Sequence, residues 1–122
     1  MKKKILIIED EPSLLKAMSE AFLLEGCEVA QAIDAEQGMA ELSRFGPDLI
    51  LLDLILPGKN GFEILKELKS SSAYAKIPVV ILSNLDDEGE IQQGLKLGAA
   101  DFLIKADYDL ADLVEIVKKY IK

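Results

Sequence analysis

Asp48-Leu49-Ile50-Leu51-Leu52-Asp53 is the stretch that decides the fold of this chain. Between its two aspartates lie only large aliphatic residues with no polar alternation, the pattern of a strand buried on both faces of a parallel sheet. Three further runs read the same way: Ile5-Leu6-Ile7-Ile8, Val79-Val80-Ile81-Leu82 and Phe102-Leu103-Ile104. Each is followed at once by a polar motif, Glu9-Asp10, Ser83 and Lys105 respectively, just as Asp53 follows the first run. Open parallel α/β sheets bind ligands in the crevice beyond the carboxyl ends of their strands. Three acids, a hydroxyl and a lysine are therefore expected to converge on one crevice.

The segments between these runs carry helical period. Pro12 to Gly26 places Leu14, Leu15, Met18, Phe22 and Leu23 in helical spacing, with Pro12 suited to a first turn and Gly26 to a stop. A weaker strand over Cys27 to Ala32 leads to a helix over Ala35 to Phe45, ended by Gly46-Pro47. After Asp53, a loop over Leu54 to Asn60 is marked by the turn pairs Pro57-Gly58 and Asn60-Gly61, and helical period returns with Phe62, Ile64, Leu65 and Leu68. Beyond the polar tract Ser70 to Lys76, Pro78 opens a strand to Leu82, and a fourth helix is expected to begin near Asp86-Asp87-Glu88. Gly89 and Gly94 make that helix soft, each at a cost of about 1 kcal/mol against alanine. Gly98 closes it, Asp101 to Ile104 is the last strand, and Leu110, Leu113, Val114, Val117 and Ile121 outline a final amphipathic helix. Five βα repeats predict a doubly wound, three-layer α/β sandwich with right-handed crossovers, one domain over residues 1–122.

Composition narrows the function. A chain of 122 residues with 50% hydrophobic and 30% charged residues has the balance of a globular domain that needs no disulfide or metal staple. Its net charge of −8 would repel phosphate backbones and anionic membrane surfaces, so neither direct nucleic-acid binding nor membrane association is expected. The single cysteine, Cys27, allows no internal disulfide and reads as a small buried hydrophobe. There is no histidine, which removes the usual general base of serine and cysteine nucleophiles and the commonest zinc ligand. The apolar run behind Lys2-Lys3-Lys4 is too short for a signal peptide, and no run approaches a membrane span, so a cytoplasmic location is expected.

An aspartate at a strand end is, taken alone, more often a plain strand terminator. A carboxylate can also attack phosphorus and be held as a mixed anhydride. Gathering Glu9 and Asp10 near Asp53 would be costly without a cation. Magnesium, which favours hard oxygen ligands, suits Asp10 and Asp53, with Glu9 in the outer shell and a backbone carbonyl, that of Ile55, from the following loop. A competing role for Glu9-Asp10 is to cap the first helix, and the two roles can coexist. Lys105 offers a charge and Ser83 a hydroxyl to phosphoryl oxygens. Singly these are a surface lysine and a helix cap; together, at the strand ends of one sheet, they form a set.

The set resembles the receiver domain of two-component response regulators, over nearly the whole chain. The matching pieces are Ile7-Ile8-Glu9-Asp10-Glu11-Pro12, Leu51-Leu52-Asp53-Leu54-Ile55-Leu56-Pro57-Gly58-Lys59-Asn60-Gly61-Phe62-Glu63, Pro78-Val79-Val80-Ile81-Leu82-Ser83 and Gly98-Ala99-Ala100-Asp101-Phe102-Leu103-Ile104-Lys105. The resemblance implies a flavodoxin-like sheet of strand order 2-1-3-4-5. It implies Asp53 as phosphoacceptor, Asp10 as metal ligand assisted by Glu9, Ser83 and Lys105 as phosphoryl contacts, and Phe102 as a switch aromatic that turns inward when Ser83 moves. The donor would be a histidine kinase or histidine phosphotransfer protein, docking on the loop before the last helix and on the first helix, where the exposed members of Leu14, Leu15 and Met18 are candidates and core packing is the competing role for most of the three. Output would pass to a protein target through the face built from the fourth helix, the fifth strand and the fifth helix. Such a domain promotes only its own phosphorylation and dephosphorylation.

The chain departs from the family pattern after Lys105, where Ala106 replaces the usual proline. A cis Lys105–Ala106 bond is expected if the loop needs it to aim the lysine. Asn84 replaces a smaller residue and could crowd the crevice. Ile55 and Leu85, two residues beyond Asp53 and Ser83, offer no hydrogen bond to an attacking water and predict a long-lived phosphoryl group. With no output domain after Lys122, the chain is expected to act as a relay or adaptor. Glu115 or Ile116 stands where an arginine often supports dimerisation, so a monomer is expected. Ile55 also stands where a haloacid-dehalogenase-like phosphatase needs a second acid, and the acidic Glu9-Asp10-Glu11-Pro12 would repel a flavin phosphate. The alternative is a receiver-like interaction module that acts without phosphorylation.

Overall fold

The computed structural model describes residues 2–84 and 87–121. Strands β1 (Lys4–Ile8), β2 (Glu28–Ala32), β3 (Leu49–Leu52), β4 (Val79–Ser83) and β5 (Asp101–Ile104) form one sheet of order 2-1-3-4-5, with every neighbouring pair parallel. Helices α1 (Pro12–Leu24), α2 (Ala35–Phe45), α3 (Gly61–Ser70), α4 (Glu88–Lys96) and α5 (Leu110–Lys118) alternate with them. The expected doubly wound α/β fold is the observed one.

The sheet separates two apolar layers. On one side Ile5, Ile7, Leu49, Leu51, Val80 and Leu82 pack against Leu15, Met18 and Phe22 of α1 and Leu113, Val114 and Val117 of α5. On the other, Leu6, Ile8, Ile50, Leu52 and Ile81 meet α2 and α3 through Leu42, Ile64, Leu65 and Leu68, with Ile91 of α4 partly buried beside them. Both faces of β1 and β3 are thus covered, which is why their sequences show no alternation.

Short polar side chains start four of the helices. Asp34, Asn60, Asp87 and Asp109 accept the backbone N–H groups of Gln37, Glu63, Glu90 and Asp112 at 2.8, 3.0, 3.1 and 2.9 Å. α1 starts instead at Pro12 with no side-chain cap, so Glu9 and Asp10 do not serve as its cap residue. Gly61 is not a turn glycine but the first residue of α3, and a Cβ there would lie 2.6 Å from both the Asp53 carbonyl oxygen and Leu54 Cα. Only glycine lets α3 start so close to the end of β3.

Several expectations shift. Ser83 is the last residue of β4 rather than the residue after it, and α5 stops at Lys118, leaving Ile121 packed beyond the helix. Cys27 is half-buried, and Leu23 is 55% exposed because α1 turns it away from the sheet. Gly94 is more than a weak point in α4, since a Cβ would sit 2.8 Å from Ile81 Cδ1 and 3.1 Å from Phe102 Cδ2. No peptide bond among the described residues is cis, so the expectation for Lys105–Ala106 is corrected to trans. A non-proline cis bond costs about 3 kcal/mol, and here the chain turns through a 3-10 segment over Lys105–Asp107. Leu85 and Asp86, invoked for phosphoryl lifetime and helix start, lie outside the described residues.

Candidate functional site

Register brings the polar motifs together. Ile8 pairs with Leu52, Leu52 with Ile81, and Ser83 with Ile104, so Glu9, Asp53, Ser83 and Lys105 emerge along one edge of the sheet. The Asp53 amide donates to the Ile8 carbonyl at 3.0 Å and the Glu9 amide to that of Ala32 at 2.9 Å, which continues the ladder one residue past the strands and fixes where both carboxylates begin.

Glu9 is 2% and Asp53 5% exposed, whereas Asp10 faces solvent. One oxygen from each of these three acids falls within 4.8 Å of the others. The Lys105 ammonium lies among them, 2.7 Å from Glu9 Oε1 and 3.1 Å from Asp53 Oδ2. The remaining oxygens are held by the backbone: Glu9 Oε2 accepts the Glu11 N–H at 3.0 Å, and Asp53 Oδ1 accepts the Ile55 N–H at 3.2 Å. Ser83 is fully buried, and the side chains of Asn84 and Ile55 stay at the surface.

Burial dominates the electrostatics of Glu9. Loss of water pushes its pKa above the ordinary glutamate value despite the opposing pull of Lys105 and the Glu11 N–H, and the Asp53 charge adds to the rise. For Lys105, burial pulls the pKa down, but the carboxylates of Glu9 and Asp53 outweigh it and hold the ammonium above the usual lysine value. One cation thus serves two buried acids with a third beside them. Lys105 contacts Glu9 Oε1 as an ion pair without a directed hydrogen bond, which leaves that buried oxygen with acceptor capacity. Hard oxygen donors, surplus negative charge and an unfilled acceptor fit a divalent cation such as magnesium.

A cleft of about 550 Å³ between the start of α2 and the Pro57–Lys59 loop contains none of these groups. Charge rather than cavity size marks the site. Phe102 is 9% exposed, its ring lying against Gly94 of α4, so the expected switch aromatic is inward in this structure. Of the apolar residues expected to receive a partner on α1, Leu15 and Met18 belong to the core, at 6% and 1% exposure, and only Leu14 reaches the surface in part. The period of α1 cannot separate a leucine that faces the sheet from one at the edge of that face. Sequence reasoning also missed the Glu9–Lys105 pair, although a near-fully buried glutamate after a strand demands a cationic or hydrogen-bonding partner.

The family model described as "Response regulator receiver domain" matches residues 5–118. Response regulator PleD of Caulobacter vibrioides is 37% identical over 86% of this chain and 23% of its own length. Sensory transduction protein RegX3 of Mycobacterium tuberculosis is 34% identical over 97% of this chain and 50% of its own. The chain therefore spans half or less of these curated relatives. Among solved structures, the phosphorylated cyanobacterial phytochrome response regulator RcpA is 36% identical, with a TM-score of 0.83, over 98% of this chain and 91% of that one.

Proposed function

This chain belongs to the response regulator receiver domain family, and from that premise we propose that it is a signalling module that accepts a phosphoryl group on Asp53. The observation that carries the reading is the Asp53 carboxylate itself. It is almost wholly buried at the end of β3, held from one side by the Ile55 N–H and from the other by Lys105, within reach of two more acids.

In the proposed step an oxygen of Asp53 bonds to phosphorus as the P–N bond of a phosphohistidine donor breaks. The electron pair leaves on the imidazole nitrogen and the product is an acyl phosphate. Asp10, Asp53 and the Ile55 carbonyl would hold magnesium, with Glu9 in its outer shell, and the ion would neutralise charge on the transferring group. Lys105, already at 3.1 Å from Asp53, is placed to contact one phosphoryl oxygen, and Ser83 to contact another after a local movement. The surface-exposed Ile55 side chain offers no hydrogen bond to water near Asp53, which supports slow hydrolysis.

The donor would be a histidine kinase or histidine phosphotransfer protein, with Leu14 the remaining apolar candidate on α1. The output surface would be α4-β5-α5, where Leu95 is 40% exposed and Phe102 packs against Gly94. A cytoplasmic location and a monomeric state belong to the same proposal; no helix among the described residues is long and apolar enough to cross a membrane. Incubation with acetyl phosphate and magnesium, followed by intact mass measurement, tests it. One phosphoryl group is expected on the parent and none on Asp53→Ala, whereas an unlabelled parent beside a labelled control receiver would favour the phosphorylation-independent module.

A further inference from the structure

We propose that the groove between α1 and α5 is a docking surface for a basic amphipathic helix of a partner protein, held there whether or not Asp53 carries a phosphoryl group. The inference goes beyond the phosphoacceptor reading and does not depend on it.

Shape comes first. Ala21 and Leu24 of α1 face Leu110, Ala111 and Val114 of α5 across a groove of about 320 Å³. Val114 is buried at 6% exposure, whereas Leu24, at 87%, is the most exposed large apolar side chain among the described residues. A lone exposed leucine calls for no explanation, but one that borders an apolar groove extends that groove into a contact surface. The two alanines, one on each helix, leave room for another backbone to approach. A trough between two helices with small residues at its sides takes the side-chain ridge of a third helix, whose apolar anchors recur at i, i+3 or i+4, and i+7.

Charge selects the occupant. The charged residues lining the groove are Glu25, just past the end of α1, and Glu115 of α5. One cation serves both, for Lys118 Nζ lies 2.6 Å from Glu25 Oε1 and 3.5 Å from Glu115 Oε1. A negative charge is thus left over at the groove, on a chain whose net charge is −8. A second copy would bring the same acids and the same net charge against it. A helix carrying lysine or arginine beside its apolar anchors meets both the leucine and the carboxylates.

Placement separates this surface from phosphoryl transfer. α1 starts at Pro12, directly behind Glu9 and Asp10, so Leu24 lies about 18 Å along the helix from that end. A helix centred on Leu24 leaves Leu14 uncovered for a donor. The groove also belongs to the layer that α1 and α5 build on one face of the sheet, whereas Phe102 belongs to the layer on the other face. A partner seated here touches no switch residue and is bound equally by both states.

The probe is a synthetic helical peptide of about 18 residues with leucines at that spacing and lysines on its flanks, titrated into the isotopically labelled full chain. Saturable binding is expected, with amide shifts centred on Ala21, Leu24, Ala111 and Val114. Leu24→Ser should weaken it about tenfold and leave the thermal melt in place, because the side chain is exposed. A peptide with glutamate for every lysine should bind about tenfold more weakly at low salt. Acetyl phosphate with magnesium should change the affinity of the parent by less than about twofold.

Binding that survives Leu24→Ser undiminished would reduce the effect to general attraction between a basic peptide and an acidic chain, and would overturn the proposal. Absence of saturation, or shifts centred on α4 and β5, would do the same. Self-association of the parent that Leu24→Ser abolishes would seat a second copy in the groove and overturn the choice of a basic helix. An affinity that follows phosphorylation would tie the groove to the switch and overturn its independence. A parent that takes up no phosphoryl group would sink the phosphoacceptor reading alone, and the Leu24→Ser and charge-reversed peptide comparisons would still decide this one.

Discussion

The two ends of this sheet both carry acids, and they use them differently. At the amino end, Asp48 accepts the Lys4 N–H at 2.8 Å, while Asp101 accepts its neighbour Phe102 N–H at 2.8 Å and the Tyr120 hydroxyl at 2.7 Å. Each acid there has neutral donors, and none crowds another. At the carboxyl end, Glu9 and Asp53 are buried with Asp10 close by, and Lys105 is the cation shared between the buried pair. Balanced acids fasten elements together. A cluster with more negative charge than its partners offset is an arrangement stability alone does not call for, and it is where a cation and a phosphoryl group would find their place.

The contrast can be broken by substitution. Asp53→Asn should abolish phosphoryl uptake in an intact-mass assay while the protein stays folded; retained uptake would move the function off the carboxyl end. Gly61→Val should be the most destabilising single change near the site, about 3 kcal/mol by urea denaturation, because the added side chain meets backbone 2.6 Å away that cannot yield cheaply. Tyr120→Phe, at the opposite end, should cost only about 1 kcal/mol, one hydrogen bond to Asp101, and leave phosphorylation unchanged.

The pH dependence sharpens the contrast further. The folded-state pKa of Glu9 is raised chiefly by burial, so its contribution to stability is fully present below the ordinary value of 4.5 and is lost as pH rises through the raised value. Glu9→Gln should lack that downward slope in metal-free thermal melts from acid to neutral pH. Magnesium should reverse the preference in the parent, its affinity rising with pH across the same window as the proton leaves Glu9.

Much of this was legible in the chain. The runs Ile5–Ile8, Leu49–Leu52 and Val79–Leu82 announced a sheet covered on both faces, and the polar residues behind them announced its functional edge, because strand ends in a parallel sheet share one side. Close approaches were not legible. Gly61 and Gly94 read as a turn residue and a helix weakness, yet each sits where another element leaves no room for a Cβ, a fact that belongs to packing rather than to local propensity. The period of α1 marked Leu15 and Met18 as apolar without showing that both point into the sheet. The Glu9–Lys105 pair joins the first strand to the last, and only the register of the intervening strands could bring those residues together.

The most direct measurement is a backbone amide NMR spectrum of the parent and of Asp53→Asn, before and after acetyl phosphate with magnesium. The account predicts shifts in the parent at Glu9, Asp53, Ser83 and Lys105 that spread into α4 and β5, quiet signals at Lys4 and Asp48, and no change in Asp53→Asn. A parent spectrum that does not move, or an Asp53→Asn spectrum that moves in the same way, would contradict it.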